Sequence, residues 1–371
     1  MGRTSNGSIA RAKTTQLAFI RFLAEIVRNA YLNVKTNRQQ TMNNHVNYLL
    51  SQWLPLKDKH KWVLGFIFKT EGSCYRKAGA MMLFSDAGHQ LGILSGGCLE
   101  SDIVKKAYRV MDDGVSRTAV YDDEDEEDIA FKLGVGCGGV VHLSLVALTQ
   151  ENQFLGLDEV SRLLSLGCGC VWETDVAGLQ GQCEPIDTAN HRPRKAQLIQ
   201  RDSKDILSIV LLPPIHLLVI GGGFDATFMT QMAKAQGWTV SLWDPRPAQA
   251  RVEHFPDVNY LVEDTDIDTL SVHIAQHRIQ AAVLMSHHRE IDAKALKLLS
   301  TQKLMYAAML GPLHRKKEIM ELAGLSDTSF CDYFASPAGF DIGGELPEHI
   351  ALSVISQCHA VFHDKPAHLQ K

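Results

Sequence analysis

Ile215-His216-Leu217-Leu218-Val219-Ile220-Gly221-Gly222-Gly223-Phe224-Asp225-Ala226 is the stretch that decides the fold. A short apolar run ends at Ile220 and passes into Gly221-x-Gly223-x-x-Ala226, and a helical pattern follows over Ala226–Gln236. Gly221 permits a tight turn, Gly223 lets a phosphate approach the backbone, and Ala226 lets helix and strand pack closely. The next apolar run, Thr239–Trp243, leads to Asp244. It stands about 20 residues past the first glycine, where an acid bonds a ribose hydroxyl in dinucleotide-binding folds. Asp225 sits in the first turn of the helix, where its charge either caps the helix or competes with a bound pyrophosphate. A dinucleotide, another phosphate ligand, or no ligand at all are each consistent with this turn.

Beyond this motif, Ala281–Met285 and Met305–Leu310 are further short apolar runs alternating with helical patterns. Runs of this kind predict a parallel sheet with helices on both faces, so the C-terminal part reads as a Rossmann-like α/β domain. His287 follows the end of one of these strands, where the ligands of such sheets sit, and its imidazole titrates near neutral pH. His288 beside it reads as solvent-facing. Pro213-Pro214 marks the boundary before the domain.

The N-terminal part reads as α+β. Trp62 to Phe68 is a buried strand, and Ala80–Phe84 and Gln90–Leu94 form a hairpin around Asp86-Ala87-Gly88. A helix follows with Leu99, Ile103, Ala107, Val110 and Met111 at helical spacing and a stop at Gly114. A block of acids from Asp122 to Asp128 reads as a solvated loop or helix start. Val140–Leu148 is a strand, and residues 150–213 hold a helix near Leu157–Leu166 and strand-like pieces that include Asp205–Leu212. The division is an extension over 1–45, a domain over 46–150, a connecting α/β segment over 151–213 and the Rossmann-like domain over 214–371.

The chain has 371 residues, 45% of them hydrophobic and 21% charged, with a net charge of −5. This is enough apolar material for a packed core, and the slight negative charge argues against broad nucleic-acid binding. No apolar run approaches the roughly 20 residues that cross a bilayer, so no membrane partner is expected. The basic N-terminus lacks the apolar stretch of a signal peptide and reads as a poorly ordered tail. The eight cysteines are Cys74, Cys98, Cys137, Cys168, Cys170, Cys183, Cys331 and Cys358. They include no Cys-x-x-Cys pair, so no metal site is expected, and reduced thiols in the cytoplasm are the simplest account.

Three glycine-rich segments carry the remaining chemistry: Gly72-Ser73-Cys74-Tyr75-Arg76-Lys77-Ala78-Gly79-Ala80, Ser95-Gly96-Gly97-Cys98-Leu99-Glu100, and Gly136-Cys137-Gly138-Gly139. Ser95–Cys98 opens a helix, and its backbone N–H groups could cradle an anion, with Arg76 and Lys77 as countercharge. Glu100 and Asp102 add negative charge to the same turn and would stabilise the helix start. Cys98 at a helix N-terminus gains thiolate character; as a small residue in a tight turn, it and Cys137 are simply packing.

These three segments, together with Gly134-Val135, resemble the N-terminal domain of the XdhC/CoxI family, the xanthine dehydrogenase accessory factors. The second half resembles that family's Rossmann domain through His216–Ala226, Met285–Asp292, Met309-Leu310-Gly311 and Ser336-Pro337-Ala338-Gly339-Phe340-Asp341-Ile342-Gly343-Gly344. The likeness runs from about Lys61 to Val361 and is thinnest between 150 and 213. The family often has His after the second fingerprint glycine and a Thr-His-Asp-His stretch; here stand Phe224-Asp225 and Ser286-His287-His288-Arg289.

The resemblance implies a chaperone rather than a catalyst, with no catalytic residue assigned. It would bind the molybdenum cofactor (molybdopterin) transiently, assist its sulfuration and insert it into a molybdenum hydroxylase such as xanthine dehydrogenase. A cysteine desulfurase is the implied second partner, and a homodimer is the default assembly. The expected cofactor-binding residues are Arg76, Lys77, Ser95, Gly96, Gly97, Cys98, Gly136, Cys137 and Gly138 in the first half, and Gly221, Gly223, Asp244 and His287 in the second. Cys98 or Cys137 could serve as a soft ligand or sulfur relay. The alternative is an NAD(P)-dependent oxidoreductase using the Rossmann domain, and a third reading is a scaffold whose glycine loops are only turns.

Overall fold

The computed structural model describes residues 43–97, 99–122, 139–187, 193–326, 331 and 333–367. All of them belong to the compact unit Asn43–Lys371; the other unit, Met1–Met42, lies outside the described residues and takes with it most of the expected extension. The acids at 123–128, Cys98 and the glycine–cysteine motif at 134–138 also lie outside the described residues.

Helix α1 (Val46–Trp53) starts where the His45 ring accepts the Asn47 amide. Strand β1 (Trp62–Gly72), the hairpin β2 (Met81–Ser85) and β3 (Gln90–Gly92), helix α2 (Glu100–Asp113), β4 (Arg117–Asp122) and β5 (Gly139–Leu148) follow. The strands form an antiparallel sheet in the order β3-β2-β1-β5-β4. The helix stops as its periodicity predicts, at Gly114, whose left-handed φ of 71° suits a residue without Cβ. The apolar stripe of α2 packs Ile103, Ala107 and Val110 against Val63, Ile67 and Phe84. The opposite face of β1 is covered as well, which is why Trp62–Ile67 is buried without alternation.

What covers it is the segment whose sequence pattern is least regular. Helix α3 (Leu157–Ser165) precedes strands β6 (Gly169–Asp175), β7 (Gly181–Ile186), β8 (Gln197–Arg201) and β9 (Lys204–Leu211), an antiparallel sheet in the order β7-β6-β9-β8. Trp172 and Leu207 of its inner face share one core with Trp53, Trp62 and Phe66. The helix and β9 have clear apolar patterns. The outer strands β7 and β8 are largely exposed, and β7 tolerates Pro185 because its edge needs no ladder donor there.

The C-terminal part is a parallel sheet in the order β12-β11-β10-β13-β14-β15. Its elements are β10 (His216–Ile220), α4 (Phe224–Ala235), β11 (Thr239–Trp243), β12 (Tyr260–Val262), α5 (Ile267–Gln276), β13 (Ala281–Leu284), α6 (Arg289–Leu299), β14 (Tyr306–Met309), α7 (Leu313–Ala323), β15 (Phe334–Ala335) and α8 (Pro347–Phe362). Helices α4 and α8 cover one face, and α5, α6 and α7 the other. Both faces are therefore dry, and the strands read as continuous apolar runs. Helix α4 begins at Phe224 rather than Ala226, because Gly223 is extended (ψ 172°) and serves as its N-cap. Among the described residues no helix is long and apolar enough to cross a membrane.

Candidate functional site

Two of the three glycine segments meet at one end of the first sheet through backbone packing. Gly72 at the end of β1 is paired with Gly139 at the start of β5. A Cβ on Gly139 would lie 2.5 Å from the Glu71 carbonyl, 2.6 Å from that of Ser73 and 2.8 Å from Cys74 Sγ, so only glycine fits. Cys74 is buried in this joint, with Sγ 3.3 Å from the Glu71 carbonyl and 3.5 Å from that of Val140. The second segment joins them where Gly96 faces the Tyr75 ring, 4.0 Å from where a Cβ would stand. Tyr75 is itself 64% exposed.

Within this cluster Ser95 is the organiser. Its Oγ accepts the amides of Gly97 (3.3 Å) and Leu99 (3.1 Å) and donates to Glu100, whose other oxygen accepts the Ser95 amide at 2.8 Å. Of the amides that sequence reasoning offered to an anion, that of Gly97 is thus taken by Ser95 Oγ and that of Ser95 by Glu100, which closes the loop onto its own helix. Asp102 is likewise engaged. Burial opposes its ionisation, but Lys106 and the Tyr121 hydroxyl outweigh it and hold the carboxyl below its usual range.

The countercharge is differently placed. Lys77 is exposed and donates to the Gly72 carbonyl at 3.4 Å. Arg76 is half-buried, burial pulls its pKa below the usual arginine value, and its guanidinium has no hydrogen-bond or ion-pair partner among the described residues. A desolvated guanidinium without an anion is costly, and its fork suits a phosphate or carboxylate. Cys98, Gly136, Cys137 and Gly138 lie outside the described residues.

The second candidate region is the crevice at the carboxyl ends of β10, β11 and β13. Gly221 has a φ of 116°, and a Cβ there would meet the Met285 and Ser286 backbone at 2.6 Å. Nothing lies within 4 Å of a Cβ placed on Gly223, so this is the open approach to the turn. Asp244 is buried and spends its acceptors internally. Its Oδ2 accepts Gly222 N (2.8 Å) and Arg246 Nη2 (2.7 Å), and its Oδ1 accepts Arg246 N and Nε (each 2.9 Å). Burial opposes the charge, and Arg246 with these amides still holds the carboxyl below the ordinary value. A carboxylate offers about four lone-pair positions, so in this arrangement Asp244 has none left for a ribose.

His287 has a left-handed φ of 58°, and its Nε2 is 3.2 Å from Asp225 Oδ2 across the glycine turn. The second half of the expected site is therefore brought together, with an acid–imidazole pair over the helix start. Sequence reasoning missed the network behind it. Arg246 Nη2 donates to the Ser286 carbonyl (3.0 Å), Ser286 Oγ to Asp292 (2.5 Å), and Arg315 Nη2 to the other Asp292 oxygen (2.7 Å). Its signals were the Arg just past Asp244 and a carboxylate, Asp292, on the buried stripe of a helix.

The chain is similar to known proteins. Residues 56–122 match the XdhC and CoxI family, and residues 217–358 match the XdhC Rossmann domain. A protein of Bacillus subtilis (strain 168), named as a probable xanthine dehydrogenase subunit, is 31% identical over 319 residues, 81% of this chain and 93% of its own. The chain belongs to the XdhC and CoxI family. Another relative of this family member, the molybdenum cofactor insertion chaperone PaoD of Escherichia coli (strain K12), is 22% identical over 304 residues, 81% of this chain and 83% of its own. A crystal structure described as a xanthine dehydrogenase from Bacillus halodurans has a TM-score of 0.70 and 26% identity, covering 86% of this chain and 96% of that one.

Proposed function

We propose that this XdhC and CoxI family member binds the molybdenum cofactor as cargo and inserts it into a xanthine dehydrogenase-type molybdenum hydroxylase. The observation that carries this reading is the half-buried Arg76 guanidinium, without a partner among the described residues, in the loop that Gly139 and Gly96 pack against. The cargo carries an anionic phosphate, and Arg76 can meet it with two-point hydrogen bonds. Ser95 already occupies two loop amides, which limits the grip and suits a carrier that must release. The names of the Bacillus subtilis and Escherichia coli relatives support a role in molybdoenzyme maturation.

Help with the exchange of an oxo for a sulfido ligand belongs to the same proposal, with a cysteine desulfurase as sulfur source, a homodimer as working assembly and the cytoplasm as setting. Cys98 and Cys137 are the candidates for a sulfur relay.

The test is cofactor retention. The full chain is purified without oxygen, mixed with molybdenum cofactor and passed through gel filtration, and retained pterin is assayed. Wild type should retain it stoichiometrically, and Arg76→Met should weaken retention by about tenfold. No retention by wild type, or equal retention by Arg76→Met, overturns the reading. Normal sulfuration by a Cys98→Ser, Cys137→Ser double variant removes the relay alone.

A further inference from the structure

A cavity of about 340 Å³ lies at the opposite end of the parallel strands from Gly221. Its floor is made by the residues that immediately precede four strands: Ile215 before β10, Trp238 before β11, Gln280 before β13 and Met305 before β14. The end of β9 and Pro213 form another wall, and the last turn of α8 brings Phe362. Ligands of open parallel sheets sit at the carboxyl ends of the strands, so this cavity is separate from the Gly221–Asp244 crevice. None of its lining residues belongs to the loops around Arg76, and its reading does not rest on the proposed cargo.

The size is within the range of small-molecule sites, and the walls are mostly apolar, with Trp238 and Phe362 as aromatic surfaces. The polar lining has an unusual composition. Asn44, Gln236 and Gln280 supply carboxamides, and His45, His359 and His363 supply imidazoles. Each of these groups, when the imidazoles are neutral, carries both a donor and an acceptor. Burial pushes His45 down to about 4 and lowers His359 and His363, so all three are neutral near pH 7. Gln280 Oε1 accepts the His216 amide, which leaves its NH2 group to donate. Gln236, His359 and His363 make no side-chain hydrogen bond or ion pair among the described residues.

Charge selects further. No acidic side chain among the described residues lines the cavity, so a cation there would lack a partner. Arg194 is the one formally charged lining residue among those described, and it is exposed at the rim. The C-terminal ends of α4, at Gln236, and α8, at His363, turn their negative dipole ends to the same space and oppose an anion. From these features we infer that the cavity binds an uncharged, planar nitrogen heterocycle of one or two fused rings. Its faces lie on the aromatic and aliphatic walls, and its mixed donor–acceptor edge meets the carboxamides and imidazoles.

The experiment uses the full chain and 2-aminopurine, an uncharged fluorescent heterocycle, with 2-naphthoate as a planar anion of similar size. Wild type should quench 2-aminopurine saturably and bind 2-naphthoate at least about tenfold more weakly. Gln236→Leu, at an exposed position, should weaken 2-aminopurine about tenfold by removing an edge contact. Leu212→Trp, which fills the space, should abolish binding. If that variant does not fold, as read from its unfolding midpoint, Gln236→Leu decides. No saturable quenching by wild type, 2-naphthoate bound as tightly as 2-aminopurine, or unchanged binding in Gln236→Leu each overturns the inference.

Discussion

Arg246 holds Asp244 by both oxygens, with Nε 2.9 Å from Oδ1 and Nη2 2.7 Å from Oδ2, while the Gly222 amide shares Oδ2. The carboxylate is fully buried and the guanidinium 38% exposed, so one partner is desolvated and the other half in water. The acid that a dinucleotide fingerprint would turn toward a ribose is here turned onto its own turn and neighbouring arginine. Arg246 then extends the contact to the Ser286 carbonyl, and through Ser286 to Asp292 and Arg315. These contacts tie the glycine turn to the end of β13 and to helices α6 and α7.

Removing the cation from this pair should be worse than removing both charges. Arg246→Met leaves a buried carboxylate with only amide donors, and should cost about 2 kcal/mol of unfolding free energy, less than a fully buried pair because the arginine is partly solvated. The double variant Asp244→Asn, Arg246→Met should recover at least part of that loss. Urea unfolding of the three proteins measures it; additive losses would show that the two groups do not act as a pair.

The same geometry predicts the fate of a nicotinamide cofactor. With the acceptors of Asp244 filled and Asp225 in the first turn of α4, a ribose and a pyrophosphate each meet an obstacle. Calorimetric titration with NAD(H) should show no saturable binding below about 1 mM, weaker than roughly −4 kcal/mol. Micromolar affinity would mean that the Arg246–Asp244 contact opens, and would bring the oxidoreductase alternative forward.

The parallel sheet was legible because both of its faces are covered. Each strand is an apolar run, and Gly221-x-Gly223-x-x-Ala226 marks where the first one turns. The first sheet was legible too, through the hairpin at Asp86-Ala87-Gly88 and the stripe of α2. The second sheet was not: β7 and β8 put few apolar residues inward, so their pattern hardly differs from a loop. At the sites, sequence placed Arg76 and His287 near glycine turns but could not show that Ser95 closes its own loop or that Arg246 claims Asp244. Those contacts depend on side-chain rotamers and on residues 40 positions apart, such as Arg246 and Ser286. A one-dimensional pattern does not encode them.

Two glycines should differ sharply in their response to the same added methyl. Gly139→Ala drives a Cβ into carbonyl oxygens and Cys74 Sγ at 2.5–2.8 Å, and backbone cannot step aside as a side chain would. It should cost about 3 kcal/mol, the upper range for overpacking, and disturb the Arg76 loop with it. Gly223→Ala meets nothing within 4 Å, so its unfolding midpoint should stay near wild type while ligand approach to the turn is obstructed. Thermal unfolding of both variants distinguishes them; equal losses would sink the assignment of Gly223 as the open position.

The last prediction concerns pH. His216 is buried, with Nδ1 3.1 Å from the His277 carbonyl and Nε2 2.8 Å from Ser241 Oγ, which is also 2.8 Å from His273 Nε2. A carbonyl only accepts, so Nδ1 carries the proton, Ser241 donates to His216 Nε2, and His273 Nε2–H donates to Ser241. A second proton on His216 would face the serine hydroxyl and force the chain of bonds to reverse. Burial lowers His216 to about 4, against the hydrogen bond to the His277 carbonyl, which raises it, and with a smaller lowering contribution from His273; burial also lowers His273 to about 4. Between 6.5 and 4 the unfolded chain binds protons that the folded chain refuses. The contribution is therefore complete above pH 6.5 and is lost as pH falls toward 4, up to about 3 kcal/mol for His216. Urea unfolding at pH 7.5 and pH 4.5 should show a smaller pH difference in His216→Gln than in wild type, and an unchanged difference would remove His216 as its source.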